Sequence, residues 1–418
     1  MKERALRLNK TLYYGWLMVF FSAFTFFFSA PGQTYSISVF INIYQNELQY
    51  SSTALSTGYS IATILSGSLL VFMGKATDKF GQRKMLILVG ILLAITTFFN
   101  SFVSNLIMIY IGFFFLRYFG QGSMTLIPNS LIPQWFEDKR AFALSLSTIG
   151  GLLATLSVPA INLFLINTIG WQETWRIWSL LLIFIFVPLT ALFVINRPED
   201  IGLQMDNKES SKDHEEDLRK LEKNSWHLSE AVRTKEFWYA GLMSVIVPMF
   251  TTGVTFHFYT MMELRNISNE QAAIIIGLIA APAAVLPFFA KLIIDRYKLK
   301  YVFLLTQVMI FISMLYLALF VNSVASAILF ILFYGLSAGI QGVALNVLWP
   351  DYFGRKYLGS IRGAATVFMV IGSALGPLPF GIYYDLSGEY NLVIYGMMVM
   401  TLFAMILALL IHKPTKQK

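Results

Sequence analysis

The chain has 418 residues, of which 56% are apolar and 13% charged, about half the charged share of an ordinary soluble domain. A soluble fold of this size could not cover so much apolar surface, and the lack of cysteine excludes disulfides, thiolate chemistry and Cys metal sites. The net charge of +8 does not point to nucleic acid, because the basic residues fall between apolar stretches rather than in one patch.

Apolar stretches long enough to cross a hydrocarbon core of ~30 Å recur along the chain. They run over 13–43, 53–74, 85–103, 105–134, 141–167, 173–196, 237–262, 270–294, 301–320, 324–352, 358–384 and 390–411. The reading is an all-α membrane protein of twelve transmembrane helices in two six-helix, pseudo-symmetric bundles. Helices satisfy their own backbone hydrogen bonds, as hydrocarbon demands, and tolerate the in-helix Gly and Pro found here. The first stretch is too long for a cleaved signal peptide and has no small-residue cleavage pattern, so it is expected to be retained.

Lys2, Arg4, Arg7 and Lys10 precede span 1, and Lys75, Lys79, Arg83 and Lys84 join spans 2 and 3. Further basic residues join spans 4 and 5, 8 and 9, and 10 and 11, and end the chain, whereas the alternate loops hold little beyond Arg176 and Arg265. By the positive-inside rule both termini and the middle loop are cytoplasmic. A multi-pass place in a bacterial inner or plasma membrane is expected, with the lipid bilayer as surroundings and the protein a monomer.

Residues 197–235 interrupt the apolar pattern, and Asp206 to Lys223 mixes seven acidic with five basic residues. This reads as a solvated linker between bundles at 1–196 and 236–418. The halves repeat at an offset of 217. Gly122, Asn129, Pro133 and Phe136 match Gly339, Asn346, Pro350 and Phe353; Asp78 matches Asp295, and Ser51 matches Ser268. Parallel repeats of this kind occur in secondary transporters, with the substrate between the halves.

The stretch Gly74-Lys-Ala-Thr-Asp78-Lys-Phe-Gly81-Gln-Arg83 resembles the loop 2–3 signature GxxxDxxGxR of the major facilitator superfamily. Arg117-Tyr-Phe-Gly120-Gln-Gly122 on span 4 is similar to its RxxxxG signature. The likeness implies that fold over nearly the whole chain. It also implies a cytoplasmic latch made by Gly74, Asp78, Gly81, Arg83 and, in the second copy, Asp295, where glycines permit close packing and an Asp meets a helix N-terminus or a basic partner. In that second copy Lys291 replaces the first Gly. Tyr14-Gly15-Trp16, Arg197-Pro-Glu-Asp-Ile-Gly202-Leu203 and Ala231-Val-Arg-Thr-Lys-Glu-Phe-Trp238 resemble the branch holding monocarboxylate transporters and oxalate:formate antiporters. Carriers of that branch commonly place an arginine on span 8. Here Ile274 to Phe289 holds no charge, and Pro287 stands near the expected place.

A charge left in hydrocarbon is a functional candidate. Arg117 lies about mid-span with no Asp or Glu at its depth, so either an anionic substrate neutralises it or it caps backbone carbonyls or packs with tyrosines. His257 on span 7 suits proton coupling, substrate hydrogen bonding or a structural bond. Gln33 and Tyr35 on span 1 sit at comparable depth, and the repeat places Tyr334 opposite Arg117. Asn129 and Asn346 read as helix–helix bonding residues, the Gly-Pro stripe of span 11 as tight packing, and Trp171, Trp175 and Trp178 as interface anchors. The four histidines are scattered, and neither metal nor cofactor is expected. No sequence signature of catalysis is present, so the protein is not expected to be an enzyme. The sequence points to a secondary active transporter of a small, monocarboxylate-like organic anion working by alternating access, with proton coupling or exchange as its energy source. Its rivals are an exporter of a drug or metabolite and a non-transporting receptor on a carrier fold.

Overall fold

In the computed structural model the described residues are 6, 9, 13–207, 226–279, 281–282, 296–354 and 357–415. Among them the secondary structure is helical throughout, with no strand. Span 1 is broken into α1 (Gly15–Phe28) and α2 (Thr34–Asn46) by a tight turn over Ala30–Gly32, where Pro31 lacks the N–H that would continue the helix. There follow α3 (Ser52–Phe80), α4 (Gln82–Asn100), α5 (Leu106–Trp135), α6 (Phe142–Ile169) and α7 (Trp171–Phe193). Span 7 is likewise divided, into α8 (Lys235–Phe256) and α9 (Phe258–Glu263). Then come α10 (Asn269–Gly277), α11 (Leu299–Leu319), α12 (Val324–Phe353), α13 (Ser360–Ser387) and α14 (Asn391–Leu410). Ten of these helices are long and apolar enough to cross a bilayer. The two halves of span 1, with α10 opening span 8, complete the twelve segments read from the sequence.

The chain divides into two compact units, Met1–Ser210 and Ser211–Lys418. In the first, α1 packs on α6 and the second half of α5, α3 on the first half of α5, and α4 on α7. In the second, α8 packs on α13 and α14, and α11 on α12 and α14. Contact is close where small residues meet. A Cβ on Gly150 of α6 would lie 1.7 Å from the Ala23 carbonyl oxygen of α1, and Cβ atoms on Gly372 and Gly376 of α13 would each lie 2.3 Å from an α8 carbonyl. The Gly-Pro stripe of span 11 is therefore a packing surface at Gly372 and Gly376.

The duplication extends to helix caps. Ser51 Oγ accepts from the Ala54 N–H at 3.1 Å to start α3, and its repeat-mate Ser268 accepts from the Gln271 N–H at 3.3 Å to start α10. Arg265, three residues before Ser268, closes the same end of the second unit. Its guanidinium donates to the Met261 and Leu317 carbonyls at 3.0 and 3.3 Å, at the C-terminal ends of α9 and α11. Burial lowers its pKa, with Tyr390 and Glu389 opposing that shift.

Two expectations need correction. Trp171, Trp175 and Trp178 are not anchors at a lipid surface: they are 4%, 1% and 3% exposed. Their indole N–H groups need partners once out of water, and they find Glu47 Oε2 at 2.9 Å, the Tyr44 hydroxyl at 3.3 Å and Asn162 Oδ1 at 2.8 Å. Asn162 in turn donates to Ser36 Oγ at 2.9 Å, so this row bolts α7 to α2 and α6. Asn129 does not bridge helices either, because its Nδ2 donates back to the Thr125 carbonyl of its own helix at 2.8 Å. The side chain of Asn346 lies outside the described residues.

Trp178→Phe keeps the ring but leaves the fully buried Asn162 oxygen without its donor. It is expected to destabilise the protein by about 1–3 kcal/mol, read as a lower thermal unfolding midpoint in detergent. An unchanged midpoint would show that the indole N–H holds nothing.

Candidate functional site

Arg117 sits where α5 departs from regular helix. Over Leu116–Ser123 the backbone widens into π-helical turns, and Ser123 Oγ donates to the Tyr118 carbonyl five residues back at 2.7 Å. Such widened turns often occur at functional places. Here the widened stretch lies against the break between α1 and α2. A Cβ on Gly32 would stand 2.2 Å from the Leu116 carbonyl oxygen, and one on Gly120 would stand 2.7 Å from the Gly32 Cα. Only glycine fits at either point.

That approach gives Arg117 neutral partners. Its Nε donates to Thr63 Oγ1 of α3 at 3.1 Å. Nη1 reaches the Gly32 carbonyl at 3.4 Å and Thr34 Oγ1 at 3.5 Å. The guanidinium carbon lies 4.9 Å from the centre of the Tyr59 ring, whose hydroxyl is 2.6 Å from Thr34 Oγ1. Arg117 is 1% exposed. The arrangement can hold a positive charge out of water without neutralising it, and its two Nη1 bonds are at the long limit of hydrogen bonding. Gln33 and Tyr35 stand beside this cluster in sequence but turn elsewhere. Gln33 Nε2 donates to Ser29 Oγ at 3.0 Å, and the Tyr35 hydroxyl lies toward Thr155 on α6.

In the second unit the Tyr334 hydroxyl of α12 donates to Thr251 Oγ1 of α8. Thr34 and Thr251 are separated by the same 217 positions as Arg117 and Tyr334. Both units therefore make one inter-helix contact, with a guanidinium in the first and a phenol in the second. Sequence reasoning missed Thr34, Tyr59 and Thr63 because hydroxyls are common in membrane helices, yet the offset that paired Arg117 with Tyr334 also pairs the threonines.

His257 falls at the break between α8 and α9. Its Nε2 is 3.0 Å from the Pro377 carbonyl oxygen, which can only accept, so Nε2 carries the proton and Nδ1 accepts from the Tyr390 hydroxyl at 3.3 Å. His257 is 1% exposed, and both ring nitrogens are engaged. It does not touch Tyr334; Phe250 and Phe380 stand between them, with ring centres 5.5 Å from Tyr334 and 6.1 Å from His257 respectively.

The 2–3 signature is fastened differently from expectation. Gly81 takes φ +84, which favours glycine, and the Arg83 N–H and guanidinium hold Asn196 Oδ1 at 2.8 Å and the Ala191 carbonyl at 2.6 Å. Asp78 is exposed, on the wall of a polar cavity of about 480 Å³ that Lys79, Gln82, Arg197 and Asp200 also line. A Cβ on Gly74 would meet nothing within 4 Å among the described residues. Asp295, with Pro287 and Lys291, lies outside the described residues.

Comparisons with known proteins agree with this architecture. The family model described as the Major Facilitator Superfamily matches residues 15–377 and again 261–418. Human monocarboxylate transporter 2 is 22% identical over 402 residues, covering 90% of this chain and 81% of that protein. The glucose transporter GlcP of Staphylococcus epidermidis is 22% identical over 371 residues, covering 81% of each. Among solved structures, a bacterial homologue of the human lysosomal transporter Spinster superposes with a TM-score of 0.74 at 14% identity, over 96% of this chain and 97% of that one. With its apolar helices, its family match and its fold in agreement, the chain belongs to the major facilitator superfamily of multi-pass membrane transporters.

Proposed function

We propose that this chain is a secondary active transporter that moves a small, monocarboxylate-like organic anion by alternating access, with both termini cytoplasmic. The observation that carries the reading is Arg117, a guanidinium withdrawn from water among Thr63, Thr34, the Gly32 carbonyl and the Tyr59 ring. A buried charge without an opposite partner is unfavourable by several kcal/mol, and a carboxylate arriving at Nη1 would relieve that cost with a charge-assisted bond. Among the described residues the acidic side chain that is buried, Glu236, lies in the first turn of α8 and belongs to the other unit. Of the two relatives, one is named for monocarboxylates and one for glucose; an uncompensated guanidinium favours the first. His257, with both nitrogens engaged, is read as a positioning residue that ties the α8–α9 break to Pro377 of α13. Energy then comes from a proton travelling with the acid or from exchange of anions.

A second reading, export of an apolar drug or metabolite, is favoured by a cavity of about 400 Å³ on the first unit. Trp16, Phe20, Phe24 and Phe27 of α1 line it opposite Leu146 and Leu153 of α6, with no charged residue on its wall.

Two measurements on Arg117 test the first reading. Purified protein should be stabilised by short monocarboxylates in a thermal-shift screen, by about 2.7 kcal/mol at a hundredfold excess over Kd. Arg117→Gln should lose that shift, together with about 10- to 100-fold of labelled L-lactate uptake into proteoliposomes, the worth of one charge-assisted bond. Normal uptake by the variant would sink the proposal, and a shift given only by apolar compounds would move the choice to export.

Stability provides the second test. Arg117→Met removes an uncompensated buried charge, so its unfolding midpoint without ligand should equal or exceed that of the wild type. A fall equivalent to ~3 kcal/mol or more would mean that capping of the Gly32 carbonyl outweighs the cost of the buried charge, and that no ligand is needed to explain the guanidinium.

A further inference from the structure

The segment after α7 does not leave the first unit at once. The Ile195 carbonyl accepts from the Trp135 indole at 3.2 Å, and Asn196 Oδ1 accepts from the Arg83 N–H at 2.8 Å. Past Gly202, which turns the chain at φ +83, the Gln204 carbonyl lies 3.0 Å from the Tyr13 hydroxyl, which is also 2.9 Å from the Trp135 carbonyl. The segment ends at Asp206, where Oδ2 accepts the consecutive backbone N–H groups of Glu137 and Asp138, each at 2.7 Å.

We propose that residues 195–207 form a latched strap, with Asp206 as its catch, through which the linker between the two units governs the start of α6. Four observations support this. The two bonds to Asp206 are short and charge-assisted, and they fix the turn immediately before the helix Arg140–Ser147 that opens α6, where a carboxylate is favoured by the helix dipole. Asp206 adopts φ +52, a left-handed conformation that Asp tolerates better than most residues and that aims its side chain back across the turn. Its second oxygen, Oδ1, is buried and has no hydrogen-bond partner among the described residues, an unfavourable state that leaves the closed catch poised for release. Finally, α6 meets α1 backbone to backbone at one point, where Gly150 rests on the Ala23 carbonyl, so a shift at the start of α6 reaches α1 there.

In sequence the linker follows directly from Asn207, one residue past Asp206. Arg83 and Trp135 hold the rest of the strap by bonds that do not involve Asp206, and the catch can open while the strap stays seated. This proposal is independent of the substrate and holds for any solute the protein carries.

Hydrogen exchange on the full chain in nanodiscs tests it. In Asp206→Ala the amides of Glu137 and Asp138 should exchange at least tenfold faster, while those of α11 and α14 in the other unit keep wild-type rates and the thermal midpoint is unchanged. Asp206→Asn, which retains an acceptor oxygen, should restore most of the protection. Unchanged exchange at Glu137 and Asp138 in the alanine variant would overturn the catch. A uniform rise across both units, or no recovery in the asparagine variant, would equally overturn it by showing that Asp206 acts on the fold as a whole or through its charge alone.

Discussion

Hydrocarbon supplies no water to an interrupted helix, so every break in a membrane helix must be answered by a group from a neighbour. Two such breaks organise this protein. The break at Ala30–Gly32 exposes the Gly32 carbonyl, and Arg117 of α5 answers it. In the second unit span 7 is interrupted at His257 and α13 at Gly376–Pro377, and the imidazole at the first break bonds the Pro377 carbonyl just after the second. Among the described residues, Arg117 and His257 are the basic side chains that fall below a tenth exposed. Arg117 is spent on a carbonyl in the break itself, and His257 on a carbonyl in the first turn after one. Placing a cation in the membrane is costly, and here the cost is tied to the points where regular helix geometry fails.

Duplication supplied the frame, and divergence at equivalent positions made the units unequal. The caps at Ser51 and Ser268 are the same contact made twice, as is the pairing of Thr34 and Thr251 with their neighbours on α5 and α12. At the central position one unit has a guanidinium on a widened π-helical stretch, while the other has a phenol on a helix of regular pitch. A neutral hydroxyl pair is satisfied by itself, whereas a cation among neutral partners is not. At this pair of positions the electrostatic difference between the units rests on one change between repeats, and it singles out the first unit for the candidate site.

The fold was legible in the sequence because it follows from solvent and length: apolar runs, basic loops and a fixed offset are properties of the chain itself. The location of Arg117 was legible for the same reason. Its surroundings were not, because Thr34, Tyr59 and Thr63 become neighbours only through the close approach of Gly32 and Gly120, a packing fact with a weak local signature. The tryptophans of α7 misled for a related reason. Trp at a span's end suits a lipid interface as well as it suits a core, and the choice turned on Glu47, Tyr44 and Asn162, distant in sequence, being there to accept each indole N–H. Asp78 fits its family signature in residue type, yet the bonds that hold the turn belong to Arg83 and Asn196.

The geometry of Arg117 joins two roles that the sequence set against each other. A guanidinium that only capped a helix break would be expected to sit at full hydrogen-bond distance from the carbonyl it serves, but Nη1 lies 3.4 Å from Gly32, farther than Nε lies from Thr63. The side chain is thus anchored at Nε and over the Tyr59 ring, while Nη1 remains the weaker, exchangeable end. On the anion reading, an arriving carboxylate competes with the Gly32 carbonyl for that nitrogen. Binding would then leave the α1–α2 break without its partner, and a ligand that favours one state of the break over the other can shift the balance between them. Capping and substrate binding are in that case two states of one contact, and the same interaction would both recognise the solute and loosen the helix that has to move.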